Sequence, residues 1–224
     1  MIAEGPCEIV YAEVREEHED NQRFLEDVER WIGQRVRKLG NDKYERSIYE
    51  VFRRERYLVG IQGAPCTRAL KRNVMDEFAG ADDLRVLGYT VEEEDRVQDF
   101  HEHFPDFKLR CPLIERGLTK SDCLAMVEHA GIRLPAMYLL GYNNNNCVGC
   151  VKGGMGYWNK IRRDFPAVFQ RMALTERQIG HAICRQNNLP VYLDELNPEA
   201  GRDVPEPRID CSIMCLLAKQ EYAA

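Results

Sequence analysis

The stretch that most limits what this chain can become runs from Cys7 to Gly40. CEIVYAEV, Cys7 to Val14, is a short β-rich run with alternating character and reads as a strand. Phe24, Leu25, Val28, Trp31 and Ile32 then recur at helical spacing between Asn21 and Ile32, and Gly33 ends that helix. QRVRKLG follows as a second strand, with Val36 and Leu39 on its apolar side. A helix crossover brings the second strand back parallel to the first, and that unit belongs to α/β folds. The expected fold class is therefore α/β: a parallel, doubly wound sheet with flanking helices and a cysteine-bearing C-terminal extension.

Downstream, Ser47 is placed to cap a helix carrying Ile48, Val51 and Phe52. GIQGAPCTR reads as a loop, because two glycines and a proline interrupt any regular pattern, and Arg68 to Phe78 reads as a helix. LRVLGYT, Leu84 to Thr90, is expected to be a third strand, and LRCPLIERG to be extended. Thr119 opens a helix through Ala130, with Ser121 or Asp122 near its cap. Residues from Tyr157 onward are helical, with a break at Pro166. The proline-rich stretch from Asn187 to Asp210 is expected to be an irregular tail wrapping the domain. The division is a main domain over 1–190 and a tail over 191–224 that carries Cys211 and Cys215.

No apolar run approaches the length of a membrane span, and the first residues carry neither a basic nor an apolar signal region. A cytoplasmic protein without membrane contact is expected. The formal net charge of −6, from 31 basic and 37 acidic residues, disfavours whole-protein attraction to nucleic acid. The basic run Lys152, Lys160, Arg162 and Arg163 would still permit such a partner.

Nine cysteines are many for 224 residues, and the odd number argues against a disulfide framework. Cys7, Cys123 and Cys184 stand singly and read as packing residues. Five others fall in candidate motifs: Cys66 in its loop, Cys147 and Cys150 in NNNNCVGCVKGG, and Cys211 and Cys215 near the end. A C-x-x-C lets two sulfurs reach one metal from a tight turn, and two cysteines four apart share a helix face. A bound zinc or iron–sulfur centre, a redox dithiol and inert thiols all remain open at this point. Gly149 would let backbone N–H groups approach the sulfurs, and Gly153 and Gly154 would permit close approach of a ligand. Cys66 opens a helix whose first turns carry Arg68, Lys71 and Arg72, the makings of an anion site, and Lys152 is placed to reach the same anion. The histidines have no metal-type spacing, although His101 and His103 could share one face of a strand.

Taken in order, these motifs resemble the phosphoadenosine phosphosulfate reductase family of the adenine nucleotide alpha-hydrolase-like superfamily. EIVYAEVREEHEDNQRFLEDVERWIG is similar to the family's second strand and following helix, with Glu13 as the acidic residue near the nucleotide. GAPCTRALKR resembles its cysteine loop, and LGYTVEEEDR its arginine-bearing segment, ending here at Arg96. NCVGC resembles the C-x-x-C of cluster-bearing members, and IDCSIMC sits where reductases carry the attacking cysteine. The resemblance implies Cys211 as the catalytic nucleophile. Glu13, Arg68, Lys71, Arg96 and Lys152 would bind an adenylyl nucleotide (a sulfonucleotide or ATP). Cys66, Cys147, Cys150 and Cys215 would hold a [4Fe–4S] cluster, with zinc as the alternative.

The chain departs from the family in three ways. The first loop has Pro65 where a second cysteine is usual, which is why Cys215 is taken as the fourth ligand. Ser212 replaces a glycine, and no histidine follows it. The glycine-rich pyrophosphate loop is expected before CEIVYAEV, where only six residues precede Cys7. ATP or sulfonucleotide binding by these 224 residues alone is accordingly expected to be weak. The implied activity is sulfonucleotide reduction with a thiol reductant protein as partner. The alternatives are ATP-dependent sulfur transfer to a nucleic acid, or a metal-stabilised, non-catalytic family member.

Overall fold

The computed structural model describes residues 7–60, 63–80, 82–103 and 108–202. The expected strand–helix–strand unit is present. Strand β1 (Ile9–Ala12) pairs in parallel with β2 (Val36–Leu39), Ile9 opposite Val36 and Ala12 opposite Leu39, and α1 (Asp20–Ile32) makes the crossover. Gly33 stops α1 at φ 68°, a left-handed conformation that glycine adopts without a Cβ clash. Asp20 holds the other end. Its carboxylate takes Arg23 Nε at 2.7 Å, Arg133 Nη2 at 3.2 Å and the Ala136 amide at 2.9 Å. With Arg23 as the main cause, these donors hold its pKa far below the usual carboxylate range.

Helix α2 (Ile48–Glu55) buries Ile48, Tyr49, Val51 and Phe52. Ser47 stands at its N-cap, yet its side chain does not close the helix end. The carboxylate of Glu16 does, taking the Ser47 hydroxyl at 2.7 Å and the Ile48 amide at 2.9 Å. A carboxylate from a neighbouring segment is a stronger acceptor than the serine hydroxyl, and it complements the helix dipole. The loop expected at GAPCTR tightens into a helical turn α3 (Pro65–Thr67), which runs through a π turn (Arg68–Arg72) into α4 (Asn73–Phe78).

The third strand is shorter than the sequence suggests. Strand β3 (Arg85–Val86) pairs in parallel with β4 (Leu109–Arg110), and α5 (Glu94–His103) lies between them. Residues 101 and 103 are therefore helical and share no strand face. LRCPLIERG is extended only at Leu109–Arg110, because Pro112 starts α6 (Pro112–Glu115). Helix α7 (Lys120–His129) follows. Its cap is Thr119, whose hydroxyl accepts from the Asp122 amide at 3.1 Å while Asp122 accepts from the Thr119 amide at 2.9 Å.

Helices α8 (Ala136–Leu139), α9 (Met155–Asp164) and α10 (Pro166–Ile179) follow, with the break at Pro166 as expected. An antiparallel hairpin, β5 (Cys184–Gln186) and β6 (Leu189–Val191), replaces the expected irregular start of the tail. Asn187 and Asn188 form its turn at φ 50° and 65°, the pattern of a two-residue turn with both residues left-handed. Leu193 and Leu196 then enter the main core, beside Phe52, Leu70, Met137, Trp158, Ile161 and Met172.

The chain thus mixes helix and strand, and its two parallel pairs fit an α/β plan. Among the described residues, no helix is long and apolar enough to cross a membrane.

Candidate thiol centre

Three elements meet where the chain leaves β1. The first is the acidic turn after the strand. Glu17, its side chain only 7% exposed, takes the Tyr11 hydroxyl, the Asn21 amide at 3.2 Å and Lys71 Nζ at 3.1 Å. The second is the π turn, whose wider winding carries Lys71 into that pair. The third is the C-x-x-C turn. The Val148 amide donates to the carbonyl of Glu16 at 2.8 Å, while Val148 and Val151 are buried in the core. The turn is thereby fastened to the end of β1.

Tyr157 of α9 holds the turn from the other side. Its hydroxyl accepts from the Gly149 and Cys150 amides at 3.0 and 2.9 Å. Of the glycines around the cysteines, Gly149 and Gly153 are closely packed and Gly154 faces open space. Gly149 has φ 80°, and a Cβ there would come within 2.6 Å of Val168. A Cβ on Gly153 would overlap the Tyr157 ring. Before the cysteines, Lys120 Nζ donates to the Asn143 carbonyl and, at 3.2 Å, to Asn144 Oδ1, so the asparagine run is anchored to α7.

Cys66, Cys147 and Cys150 are all free thiols, each partly buried, and each lies in the electrostatic field of the other two. Burial is the main cause that pushes the Cys147 thiol up to about 12; Lys71 works against it, and Glu17 adds to it. Burial likewise pushes Cys66 up to about 11, Cys150 adds to that, and the positive charge of exposed Lys152 opposes it. For Lys71, burial works against the ammonium, but Glu17 and the cysteines outweigh it and raise the pKa.

Three of the four cysteines expected to ligate a metal thus lie within electrostatic reach of one another. Cys211 and Cys215 lie outside the described residues. Among the described residues, no three Cys, His, Asp or Glu side chains stand close enough together to hold an ion as placed. The donor set still suits a thiophilic centre in kind. It has three thiols, a nearby ammonium to balance thiolate charge, and buried donors with no hydrogen-bond partner at Tyr49 Oη and Trp158 Nε1. Tyr49 feels the Cys147 charge, and Trp158 packs under Gly149.

The other expected site residues are spread more widely. An open cleft of about 630 Å³ lies at the carboxyl ends of β1 and β2, lined by Tyr11, Glu13, Glu17, His18 and Arg46 among others. Its five carboxylates outnumber its two arginines. Glu13 pairs there with Arg46, and with Lys38 at 3.7 Å. Arg68 turns away toward Glu55 at 3.7 Å, and Arg96 lies on Tyr89 and pairs with Glu93; neither lines the cleft. Glu16, Glu17 and Tyr157 were missed from the sequence. The two glutamates stand inside an acidic run that reads as a solvated face, and the tyrosine stands inside a helix.

Comparison of the chain with models of known protein families, with curated proteins and with solved structures returns no match.

Proposed function

We propose that this protein is a thiol-dependent oxidoreductase of the sulfonucleotide-reductase type, in which Cys66, Cys147 and Cys150 ligate an iron–sulfur cluster. The observation that supports the reading is that two distant stretches of chain bring these three thiols and Lys71 within electrostatic reach of one another. Thiolates are the ligands that iron–sulfur clusters and structural zinc require, and metal binding drives off the protons that burial otherwise retains. When bound, a cluster supplies positive charge and electron storage. Lys71 and Lys152 would balance the thiolates, Glu17 would fix Lys71, and Cys215 would be the fourth ligand. The two parallel strand pairs would belong to a larger doubly wound sheet, with the nucleotide at the carboxyl ends of its strands beside Glu13.

The reaction in this reading balances as follows. The Cys211 thiolate attacks the sulfur of the sulfonucleotide, a sulfur–sulfur bond forms, and the sulfur–oxygen bond to the nucleotide breaks. A dithiol reductant protein then supplies two electrons, sulfite leaves, and the reductant becomes a disulfide.

One observation favours a second reading. A cleft lined by more carboxylates than arginines is a poor host for a polyanion. Without nucleotide binding, the same thiols would make a metal-stabilised protein that is not an enzyme. Iron, zinc and acid-labile sulfide should be measured on protein purified without oxygen, followed by sulfite release from a labelled sulfonucleotide. Iron with matching sulfide and sulfite release support the first reading. Zinc without turnover supports the second, and a chain free of metal after anaerobic reconstitution defeats both.

A further inference from the structure

On the side of the core formed by α2 and α10 lies a groove of about 300 Å³ that shares Tyr49 with the thiol centre and is otherwise lined by different residues. Arg53 and Arg56 border it from the end of α2, Arg171 and Leu174 from α10, and Tyr49 and Ile179 also line it. Salt bridges to carboxylates occupy most arginines near this surface. Arg53 and Arg54 share Glu50, and Arg177 takes Asp194 and Glu195. Arg56 and Arg171 differ: neither guanidinium meets a carboxylate among the described residues.

Arg171 is held in place nonetheless, and the backbone fixes where Arg56 leaves its helix. The Arg171 guanidinium carbon sits over the Tyr49 ring, 3.6 Å from its centroid, a cation–π contact that fixes the head group beside the groove. Arg56 ends α2 at φ 54°, a backbone position that glycine or asparagine fills at lower cost. Leu174, one helical turn beyond Arg171, is 64% exposed. With Thr175 and Gln178 these residues form one stripe on α10, at spacings of three, four and seven.

We propose that this groove binds an acidic peptide segment of a partner protein, one that carries an apolar side chain among its carboxylates. The carboxylates would meet Arg56 and Arg171, with Arg53 partly drawn from Glu50, and the apolar side chain would cover Leu174 and Ile179. Charge complementarity argues for the acidic character, since the groove is locally basic on a chain of net charge −6. The stripe on α10 spans roughly 10 Å, seven residues at 1.5 Å each, too long for one small anion and suited to a short run of peptide. The Glu50 carboxylate and the exposed Leu174 in the groove's lining disfavour a nucleic-acid backbone.

The test uses the full chain and a fluorescein-labelled peptide of alternating glutamates around a central leucine, followed by fluorescence anisotropy. Micromolar binding is expected, weakening as salt rises. Arg56→Glu should weaken it about tenfold and Leu174→Ala several-fold, with unchanged melting temperatures. Arg56 has an exposed head group, so it separates binding from folding, whereas Arg171→Gln tests the stacked cation. No binding up to millimolar peptide overturns the proposal, as does equal binding by Arg56→Glu. Equal competition by inorganic phosphate would mean an anion site only, and tighter binding of a single-stranded oligonucleotide would mean a nucleic-acid surface. Either result also overturns it.

Discussion

Lys71 Nζ stands 3.1 Å from Glu17 Oε1, and both charges act on Cys147 in opposite directions. The lysine eases ionisation of the thiol and the glutamate resists it, so the pair tunes the reactivity of Cys147 on top of the larger effect of burial. Glu17→Gln should lower the Cys147 pKa from about 12 and raise its alkylation rate at pH 8. Each unit of pKa is worth about tenfold in thiolate. Lys71→Met should slow the reaction. Mass-spectrometric timing of iodoacetamide labelling decides this, and equal rates in all three proteins would refute the assignment.

The turn around the cysteines should tolerate no added methyl group. Gly153→Ala drives a Cβ into the Tyr157 ring, and Gly149→Ala adds the strain of φ 80° to a clash with Val168. Each should cost about 1–3 kcal/mol, the usual range for overpacking. Chemical denaturation should show a lower midpoint with an unchanged slope. Gly154→Ala, where nothing lies within reach of the new Cβ, is the control.

Glu176 is fully buried, and its two oxygens accept the Ile183 and Leu193 amides at 2.6 Å each. Burial raises its pKa, and the amides oppose the rise only in part. The folded form therefore holds its proton to higher pH than the unfolded form. Stability from this group is greatest in acid and falls as pH climbs from the ordinary carboxylate range through the raised pKa. Glu176→Leu should leave two buried amides unpaired, at about 1–3 kcal/mol each. Glu176→Gln should flatten that part of the pH–stability curve. Urea midpoints between pH 4 and 8 would reveal it.

Asp20 has the opposite sign. Its depressed pKa means that its stabilisation is complete above the unfolded carboxylate value and is lost as pH falls toward the folded one. Asp20→Asn should destabilise most at pH 7 and measurably less near pH 2, where part of the charge's contribution is already lost. Equal destabilisation at both pH values would show that hydrogen bonding to Ala136, and not charge, is what the residue contributes.

Local patterns with one cause were the legible part of the sequence. The alternation in IVYA, the helical spacing from Phe24 to Ile32 and the stop at Gly33 each follow from backbone geometry, and the first strand pair emerged as expected. Thr119 was readable because a capping box lies within four residues. Glu16 at the start of α2 was not, since a helix end can borrow its cap from a segment 32 residues away in the sequence. The asparagine turn of the hairpin was readable in principle. Asn187 and Asn188 are the residues a left-handed pair favours, but the proline in β6 masked the strand. At the thiol centre the cysteines were legible by type and the charges around them were not. Glu17 acquires its role only through Lys71, which arrives from 54 residues further on.

Glu16 has a consequence for time scales. Its carbonyl holds the Val148 amide while its carboxylate closes α2, so the end of the first strand, a core helix and the cysteine turn share one brace. Residues 147–150 have the shape of a surface loop, and loops of that kind ordinarily exchange their amide hydrogens within seconds to minutes. Here the Val148 amide is bonded and its residue buried, so it should exchange more slowly than an open loop amide, toward the rate of the helix interior.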